Sequence, residues 1–276
     1  MKYLVFLLSF SVSINAAAQT HTLQKLWETD TIVAIPESVL HDFKKKTLYI
    51  SLIDGGPWAA DGKGGVSKLN PDGKSYNPTW ITGLHAPKGM AMVGKNLYVA
   101  DIENVAVIDK RKGKIKKKIA VSGAQGLNDI TATDKGIIYV SDSRTGKIWR
   151  IENDLATHYL DSVKGVNGLM AIGEELYIGA GKDFLKSDIN KNITKVATLS
   201  QGIDGIEPIG NGDFILTSWG GYIYYVFANG KLETLLETHL KKINSADIGF
   251  NKKDRILYVP TFFAKTIAAY KLNSTN

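Results

Sequence analysis

The feature that most constrains this chain is a strand-forming pattern that occurs six times. Each copy has a short apolar run, a turn and a second apolar strand. The second strands are centred on Tyr49, Tyr98, Tyr139, Tyr177, Ile215 and Tyr258. These positions lie 49, 41, 38, 38 and 43 residues apart. A sustained period near ~40 residues with strand-type alternation is typical of a β-propeller, in which each blade holds about four strands. The sequence therefore predicts an all-β, six-bladed propeller of four-stranded antiparallel blades.

The remaining strands of each unit follow one order. A third apolar strand and a turn, often of hairpin type such as Asn229-Gly230, precede a more polar fourth strand. The sixth unit lacks a fourth strand, whereas residues 23–29 (LQKLWET) form a spare strand before the first unit. We expect this segment to pair with residues 267–270, which would close the ring and hide both sheet edges.

The first 18 residues have the pattern of an export signal. Lys2 precedes a short apolar core, residues 4–14, and Ala16-Ala17-Ala18 suits cleavage before Gln19. The chain has no cysteine, which excludes disulfides and thiolate metal sites. We therefore expect residues 1–18 to be a signal peptide and residues 19–276 to form one propeller domain. The protein would be exported, periplasmic or secreted, and soluble after cleavage, with no membrane insertion and no indicated oligomer.

The formal net charge of +7 raises the question of a nucleic-acid partner. The densest basic run, residues 110–118, covers the turn into the fourth strand of the second blade. Lysines commonly protect such an exposed sheet edge, and no aromatic residues are interleaved with them. We interpret this run as a solvated edge and expect no nucleic-acid binding.

One polar residue recurs at the same place in every unit, ten to thirteen residues before the second-strand position. The first strand of each propeller blade lines the central channel, so these residues should converge at one channel mouth. The six predicted positions are Glu37, Lys88, Asn128, Asn167, Asp204 and Ser245.

Two carboxylates held close together need a neutralising partner, because otherwise one pKa rises. Oxygen atoms of Asp, Glu and Asn are the ligands that Ca²⁺ accepts, so one divalent cation is the first alternative. Ca²⁺ is preferred, and Zn²⁺, Mn²⁺ or Mg²⁺ remain open. In the second alternative, Lys88 neutralises Glu37 or Asp204 directly and forms a hydrogen-bonded plug.

Three of these segments resemble motifs of the gluconolactonase, regucalcin and senescence-marker-protein family of six-bladed propellers. They are Pro36-Glu37-Ser38, Val166-Asn167-Gly168-Leu169 and Ile203-Asp204-Gly205. The resemblance implies a metal site of Glu37, Asn167 and Asp204, with Asp204 also the general base. It also implies that Asn128-Asp129 contacts substrate or a metal-bound water, and that sugar lactones or related esters are hydrolysed. The arginine that precedes this pair in sugar-acid lactonases is absent, since Gly126-Leu127 stands there.

Other residues are candidates for substrate binding on the same face. His85 and Lys88 lie close together in sequence, and Trp219 follows the second strand of the fifth unit. Trp219 and Phe262 either wall a pocket or pack between blades. The glycine-rich residues 55–65, with Trp58, form either a lid or a flexible loop.

Two functions follow from these patterns. The first is a divalent-metal-dependent hydrolase of lactones or small esters, in which Asp204 and Asn128 take part in catalysis. The alternative is a non-catalytic exported propeller that binds a small molecule, a sugar or a protein partner at the same face.

Overall fold

The computed structural model describes residues 20–274, so the predicted signal peptide, residues 1–18, lies outside the described residues. The strand β1 (His21–Glu28) precedes the first repeat. The other strands follow in chain order. They are β2 (Pro36–Asp42), β3 (Thr47–Leu52), β4 (Gly64–Leu69), β5 (Asn77–Leu84), β6 (Pro87–Val93), β7 (Asn96–Asp101), β8 (Asn104–Asp109), β9 (Lys114–Ala120), β10 (Leu127–Ala132), β11 (Ile138–Asp142), β12 (Lys147–Glu152), β13 (Leu155–Leu160), β14 (Val166–Ile172), β15 (Glu175–Ala180), β16 (Asp183–Ser187), β17 (Ile193–Thr198), β18 (Ile206–Gly210), β19 (Asp213–Ser218), β20 (Tyr222–Val226), β21 (Leu232–Glu237), β22 (Gly249–Asn251), β23 (Ile256–Pro260) and β24 (Ile267–Ser274).

These strands form six antiparallel four-stranded sheets, which confirms the predicted six-bladed propeller. Blades 1 to 5 are the consecutive quartets from β2–β5 to β18–β21. Blade 6 has the order β22-β23-β24-β1, so the N-terminal strand supplies its outer edge. Two short 3₁₀ helices, His239–Lys241 and Phe262–Ala264, lie in the connections. Among residues 20–274, no helix is long and apolar enough to cross a membrane.

The apolar core lies between the blades. Six clusters of buried residues each combine side chains from two adjacent blades, so the ring has one cluster at every blade boundary. The second and third strands together supply most of these buried side chains, and the predicted positions Tyr49 and Tyr258 are fully buried. Because a sheet of this kind is apolar on both faces, no blade can bury its side chains without neighbours. The repeat therefore specifies a ring.

The lysine-rich run is an outer strand, as predicted. β9 is the fourth strand of blade 2, and its lysine side chains are exposed or partly exposed. Lys117 forms an ion pair with Asp154 of blade 3. The charges lie along an edge that would otherwise offer unpaired backbone groups to another chain.

The ring is closed by backbone pairing between the two ends of the described chain. β1 pairs with β24 from His21 opposite Ser274 to Glu28 opposite Ala268. Its N-terminal end also contacts blade 5. The Glu233 carboxylate of β21 accepts hydrogen bonds from the Thr20 backbone N–H and hydroxyl, both at 2.9 Å. His21 Nδ1 lies 3.0 Å from the second Glu233 oxygen.

Glu233→Gln should weaken this closure. Burial acts to raise the pKa of Glu233, but the hydrogen bonds from Thr20 and His21 outweigh it and hold the pKa below its usual range. A lowered folded-state pKa stabilises the fold above the unfolded-state pKa, and that stabilisation is lost as the pH falls through the folded-state value. We expect the free energy of unfolding to fall by about 1 kcal/mol at pH 7, measured by urea denaturation. The difference should vanish below about pH 4.

The matched control is Glu237→Gln, an exposed glutamate on the same strand. It should change the free energy of unfolding by less than about 0.5 kcal/mol. Equal losses in both variants, or a loss at Glu233 that persists in acid, would contradict the assigned role of Glu233.

Candidate functional site

A β-bulge in the first strand of the blades directs the predicted site residues toward the channel mouth. In blades 1 to 4, two residues of the first strand stand opposite one residue of the second strand. A bulge of this kind redirects a side chain and locally ends the pairing. The first residues of the four bulges are Glu37, Lys88, Asn128 and Asn167.

Hydroxyl groups support these irregular segments in alternate blades. The Ser38 N–H donates to Ser51 Oγ at 3.0 Å, and the Asp129 N–H donates to Ser141 Oγ at 2.9 Å. In blade 5, the Gly205 N–H donates to Thr217 Oγ1 at 2.9 Å. Each hydroxyl satisfies a backbone donor that the interrupted ladder would leave unpaired.

Five of the six predicted ring residues line one cavity of about 430 Å³. These residues form its polar floor, together with aromatic and proline residues that form its wall. The floor consists of Glu37, Lys88, Asn128, Asn167 and Asp204, and the wall of Pro57, Trp58, Trp219, Phe262 and Phe263.

The sixth ring position was predicted wrongly as Ser245. The Ala246 N–H donates to Pro260 O at 3.1 Å, in the same way that the Asp204 N–H donates to Thr217 O at 2.8 Å. Ala246 therefore occupies the equivalent place in blade 6. The connection before β22 differs in length from those of the other blades, so counting back from Tyr258 went one residue too far.

Two oxygen atoms on the floor are buried without a hydrogen-bond partner among the described residues. They are Glu37 Oε2 and Asn167 Oδ1. Glu37 is only 6% exposed. The amide of Asn167 is oriented by its nitrogen, since Nδ2 donates to Asp204 Oδ1 at 2.9 Å. Buried polar atoms are rarely left unpaired, so these two oxygens indicate a missing partner.

Lys88 is the cation on this floor. Its side chain is 3% exposed, its Nζ lies 3.7 Å from Glu37 Oε1, and it also lies 4.4 Å from the centre of the Trp58 ring. A separation of 3.7 Å is an ion pair but too long for a hydrogen bond. Lys88 therefore forms the direct ion pair with Glu37 that the second alternative expected, without the hydrogen bond of the plug.

The carboxyl groups of the floor are shifted toward the protonated form. Burial raises the pKa of Glu37, and Lys88 opposes the rise. Burial raises the pKa of Asp204 well above its usual range, and repulsion from Glu37 and Asp247 adds to the rise. Lys88 and the Asn167 hydrogen bond act in the opposite direction on Asp204. Burial and mutual repulsion therefore disfavour the ionised form of both carboxyls, and Lys88 offsets this effect only in part.

The side chain of Asn128 is held by a hydrogen bond from its amide nitrogen. Its Nδ2 donates to Ser143 Oγ at 3.0 Å, and that hydroxyl donates to Val166 O at 2.7 Å. The amide orientation is thereby fixed by the neighbouring blade, which leaves the carbonyl oxygen as the group that can accept a hydrogen bond in the cavity.

His85 lies outside the cavity lining. Its Nδ1 accepts a hydrogen bond from the Gly62 N–H at 3.2 Å, so the imidazole supports the loop of residues 55–65. The backbone N–H groups of His85 and Ala86 donate to Asp101 Oδ1 at 2.9 and 3.0 Å. Asp101 thus caps the corner that leads into β6, as expected for an aspartate at a strand end.

The channel holds a second acidic group, of which the sequence interpretation named only Asp129, as a contact to substrate or a metal-bound water beside Asn128. Asp129, Glu207 and Asp247 line a separate cavity of about 230 Å³ together with Met90, Met92 and Met170. Burial raises the pKa of Asp247 to about 7, with repulsion from Glu37, although the Ser38 hydrogen bond opposes it. Burial and Asp247 raise the pKa of Glu207 to about 8. Asp129 faces this inner cavity, whereas its neighbour Asn128 faces the upper one.

The inner group could have been found from the sequence. Asp129 and Asp247 are the residues immediately after the ring positions of blades 3 and 6, and a bulge presents two consecutive residues. Leu169 N–H donates to Asp129 Oδ2 at 2.6 Å, and Ser38 Oγ donates to Asp247 Oδ2 at 2.6 Å. These bonds tie one blade to the next.

The floor brings together carboxyl and amide oxygens that could hold a cation. Among residues 20–274, no three His, Cys, Asp or Glu side chains are grouped so that they could hold a metal ion. A site that includes an amide oxygen is a different arrangement, and Glu37, Asn167 and Asp204 share the upper cavity. The two unpaired oxygens suit a hard cation such as Ca²⁺, which takes carboxylate and amide oxygens.

The chain is thus a six-bladed β-propeller with a polar-floored cavity at one mouth of its channel. It resembles a solved streptogramin B lyase structure with a TM-score of 0.68 and 12% identity, over 92% of this chain and 98% of that chain. It also resembles a catalytically inactive histidine-to-alanine variant of virginiamycin B lyase from Staphylococcus aureus with quinupristin. That TM-score is 0.64 at 16% identity, over 91% of this chain and 99% of that chain.

At these identities the likeness shows a shared propeller fold. No protein-family model matches the chain, and no curated protein matches it. The finer resemblance to the gluconolactonase and regucalcin family stays an interpretation of the motifs around Glu37, Asn167 and Asp204.

Lys88→Met tests how much the positive charge of Lys88 stabilises the fold through the cavity floor. The change keeps a long apolar side chain but leaves Glu37 buried without a positive partner. With a chelator present at pH 8, we expect the free energy of unfolding to fall by about 3–5 kcal/mol in urea denaturation.

The matched control is Lys68→Met, because Lys68 Nζ lies 4.1 Å from the Trp80 ring centre but not beside Glu37. It should lose about 1 kcal/mol or less. Similar losses in the two variants would show that the aromatic contact matters and the ion pair does not.

Proposed function

We propose that this protein is a divalent-metal-dependent hydrolase of lactones or small esters that acts at the channel mouth. The observation that supports it is the pair of buried, unpaired oxygens, Glu37 Oε2 and Asn167 Oδ1, beside Asp204 in one cavity. Glu37, Asn167 and Asp204 would hold the cation. When bound there, a cation supplies charge that polarises a carbonyl and lowers the pKa of a water molecule.

Asp204 would act as the general base. Burial raises its pKa, and a higher pKa makes a carboxylate a stronger base. Asn167 donates to Oδ1 of Asp204, so Oδ2 remains for the proton. Asn128, fixed by Ser143, would accept a hydrogen bond from the substrate or from water.

Two other functions compete at the same cavity. Both solved neighbours are named as lyases, so the ester bond could be broken by elimination. A base then removes a proton from the carbon next to the alkoxy carbon, and the C–O bond breaks without water. The other candidate is a non-catalytic binding propeller, favoured by the Lys88–Glu37 ion pair at 3.7 Å. Transfer of ¹⁸O from labelled water into the product acid would separate hydrolysis from elimination.

Calorimetric titration of the chelator-treated protein with Ca²⁺, Mn²⁺ and Zn²⁺ tests the cation. We expect one ion per chain, and Glu37→Gln should weaken its binding by at least about 10-fold because a charged ligand becomes neutral. Glu103→Gln is the control, since Glu103 is exposed in the β7–β8 turn. Equal affinities in the two variants would remove Glu37 from the site.

Asp204→Asn tests the base. The amide keeps one ligand oxygen and nearly the same volume, so the fold should persist, but it cannot accept the proton. At saturating Ca²⁺, we expect the turnover of the best lactone or ester to fall by about 10²–10⁴-fold.

The control for this variant is Asp54→Asn. Asp54 is exposed, follows β3, and has a positive φ of 44° that asparagine also tolerates. It should keep the unmodified rate. Unchanged turnover in Asp204→Asn at saturating ion would exclude Asp204 as the base, and no turnover in the unmodified protein would favour the binding function.

A further inference from the structure

The wall of the upper cavity differs in chemistry from its floor. Pro57 and Trp58 come from the long loop of blade 1, Trp219 from the turn after β19, and Phe262 and Phe263 from the connection before β24. The amide, carboxyl and ammonium groups among the lining side chains therefore lie on the floor. A bound molecule would meet polar groups at one end and aromatic carbon around the rest.

Three aromatic rings form a continuous surface on the side of blades 5 and 6. Trp219 and Phe262 have ring centres 5.5 Å apart, and Phe262 and Phe263 have ring centres 4.8 Å apart, both nearly perpendicular. Trp219 is 44% exposed and Phe263 is 57% exposed. Exposed aromatic rings at a cavity rim offer area that becomes buried when an apolar ligand binds.

The position of this surface is fixed by the structure beneath it. Phe262 has a φ of 50°, a left-handed conformation that is costly for a bulky residue. Its side chain is nonetheless buried in a cluster with Ile53, Ile102 and Ala246, below the cavity. The packing of Phe262 thus holds Phe263 and Trp219 at the rim.

The facing part of the wall is also fixed. Trp58 lies between two cations, with Lys88 Nζ at 4.4 Å and the Arg144 guanidinium carbon at 5.1 Å from its ring centre. A Cβ at Gly126 would lie 2.7 Å from Arg144 Cγ and 3.0 Å from Trp58 Cζ3. Glycine at this position therefore lets Arg144 and Trp58 pack against the backbone, and the indole stays at the cavity.

We propose that this cavity takes a lactone or ester whose apolar aryl or alkyl group packs against Trp219, Phe263 and Trp58, rather than a sugar lactone. This inference rests on the proposed hydrolase function. A sugar lactone would bring several hydroxyl groups against aromatic carbon, where they lose hydrogen bonds to water without replacement. An aryl or alkyl group has no hydrogen bonds to water to lose there, and it buries the exposed rings.

The test compares 3,4-dihydrocoumarin, an aryl lactone, with glucono-δ-lactone at saturating Ca²⁺. We expect kcat/KM to favour dihydrocoumarin by at least about 10-fold. Trp219→Ala and Phe263→Ala should each lower kcat/KM for dihydrocoumarin by about 10-fold, chiefly through KM, and should leave glucono-δ-lactone unaffected. Phe43→Ala, which removes an exposed aromatic ring near His41 and not from this wall, is the control.

Calorimetric titration with chroman, a cyclic ether of the same shape without a carbonyl group, separates this inference from the hydrolase function. Chroman that binds the unmodified protein and not Trp219→Ala, in the absence of any turnover, would support the aromatic site and overturn the hydrolase. Turnover of glucono-δ-lactone at an equal or higher kcat/KM than dihydrocoumarin would overturn the aromatic preference and keep the hydrolase. Absence of both chroman binding and turnover would overturn both.

Discussion

The hydrogen bond from a bulged backbone N–H to a hydroxyl of the second strand is the interaction on which the candidate site depends. Ser51, Ser141 and Thr217 make it in blades 1, 3 and 5. In these blades it pairs a backbone donor that the bulge would otherwise leave buried and unpaired. In blades 1 and 3 the bulge also places two consecutive side chains in the channel. Glu37 and Asn128 face the upper cavity, and Ser38 and Asp129 face the inner one.

Carboxyl groups are concentrated along the axis of the ring. Five carboxyl groups line the channel from the upper cavity to the inner one, and Lys88 is the one cation that the described residues place among them on the upper floor. The five are Glu37, Asp129, Asp204, Glu207 and Asp247. Burial raises the pKa of all five groups, and repulsion between carboxylates adds to the rise for Asp129, Asp204, Glu207 and Asp247. The pKa of Glu37 is raised by burial although Lys88 opposes the rise. A propeller needs no such charge for its stability, since the core between the blades is apolar.

Much of the fold and part of the site could be predicted from the sequence. The repeat specified six blades because every second strand has to be buried on both faces. The equivalence of the blades then placed Glu37, Asn167 and Asp204 at one mouth. The glycine of the Val166-Asn167-Gly168 motif has a structural cause as well, since a Cβ there would lie 2.0 Å from the Asp204 carbonyl oxygen. Part of the resemblance to the family motif therefore has a packing cause, namely the close approach of neighbouring blades.

What the repeat could not predict depends on contacts between units. Counting along the chain gave Ser245 instead of Ala246, because loop lengths differ while hydrogen-bond register does not. The pairing of Lys88 with Glu37, and the imidazole of His85 under its loop, depend on side-chain conformations that no spacing encodes. The aromatic wall combines residues more than 150 positions apart, and each had an equally good structural explanation when considered alone.

The pairing of β1 with β24 also determines when the molecule can be complete. β1 is the first strand of the described chain to be synthesised, and its partner is the last. Domains generally begin to fold from the N-terminal side during synthesis, and contacts between distant residues form slowly. Blades 1 to 5 can assemble in order while β1 remains unpaired. Phe262 and Phe263 precede β24 by only a few residues. A growing chain therefore obtains its closed ring and its aromatic cavity wall together, and an unfinished chain has neither.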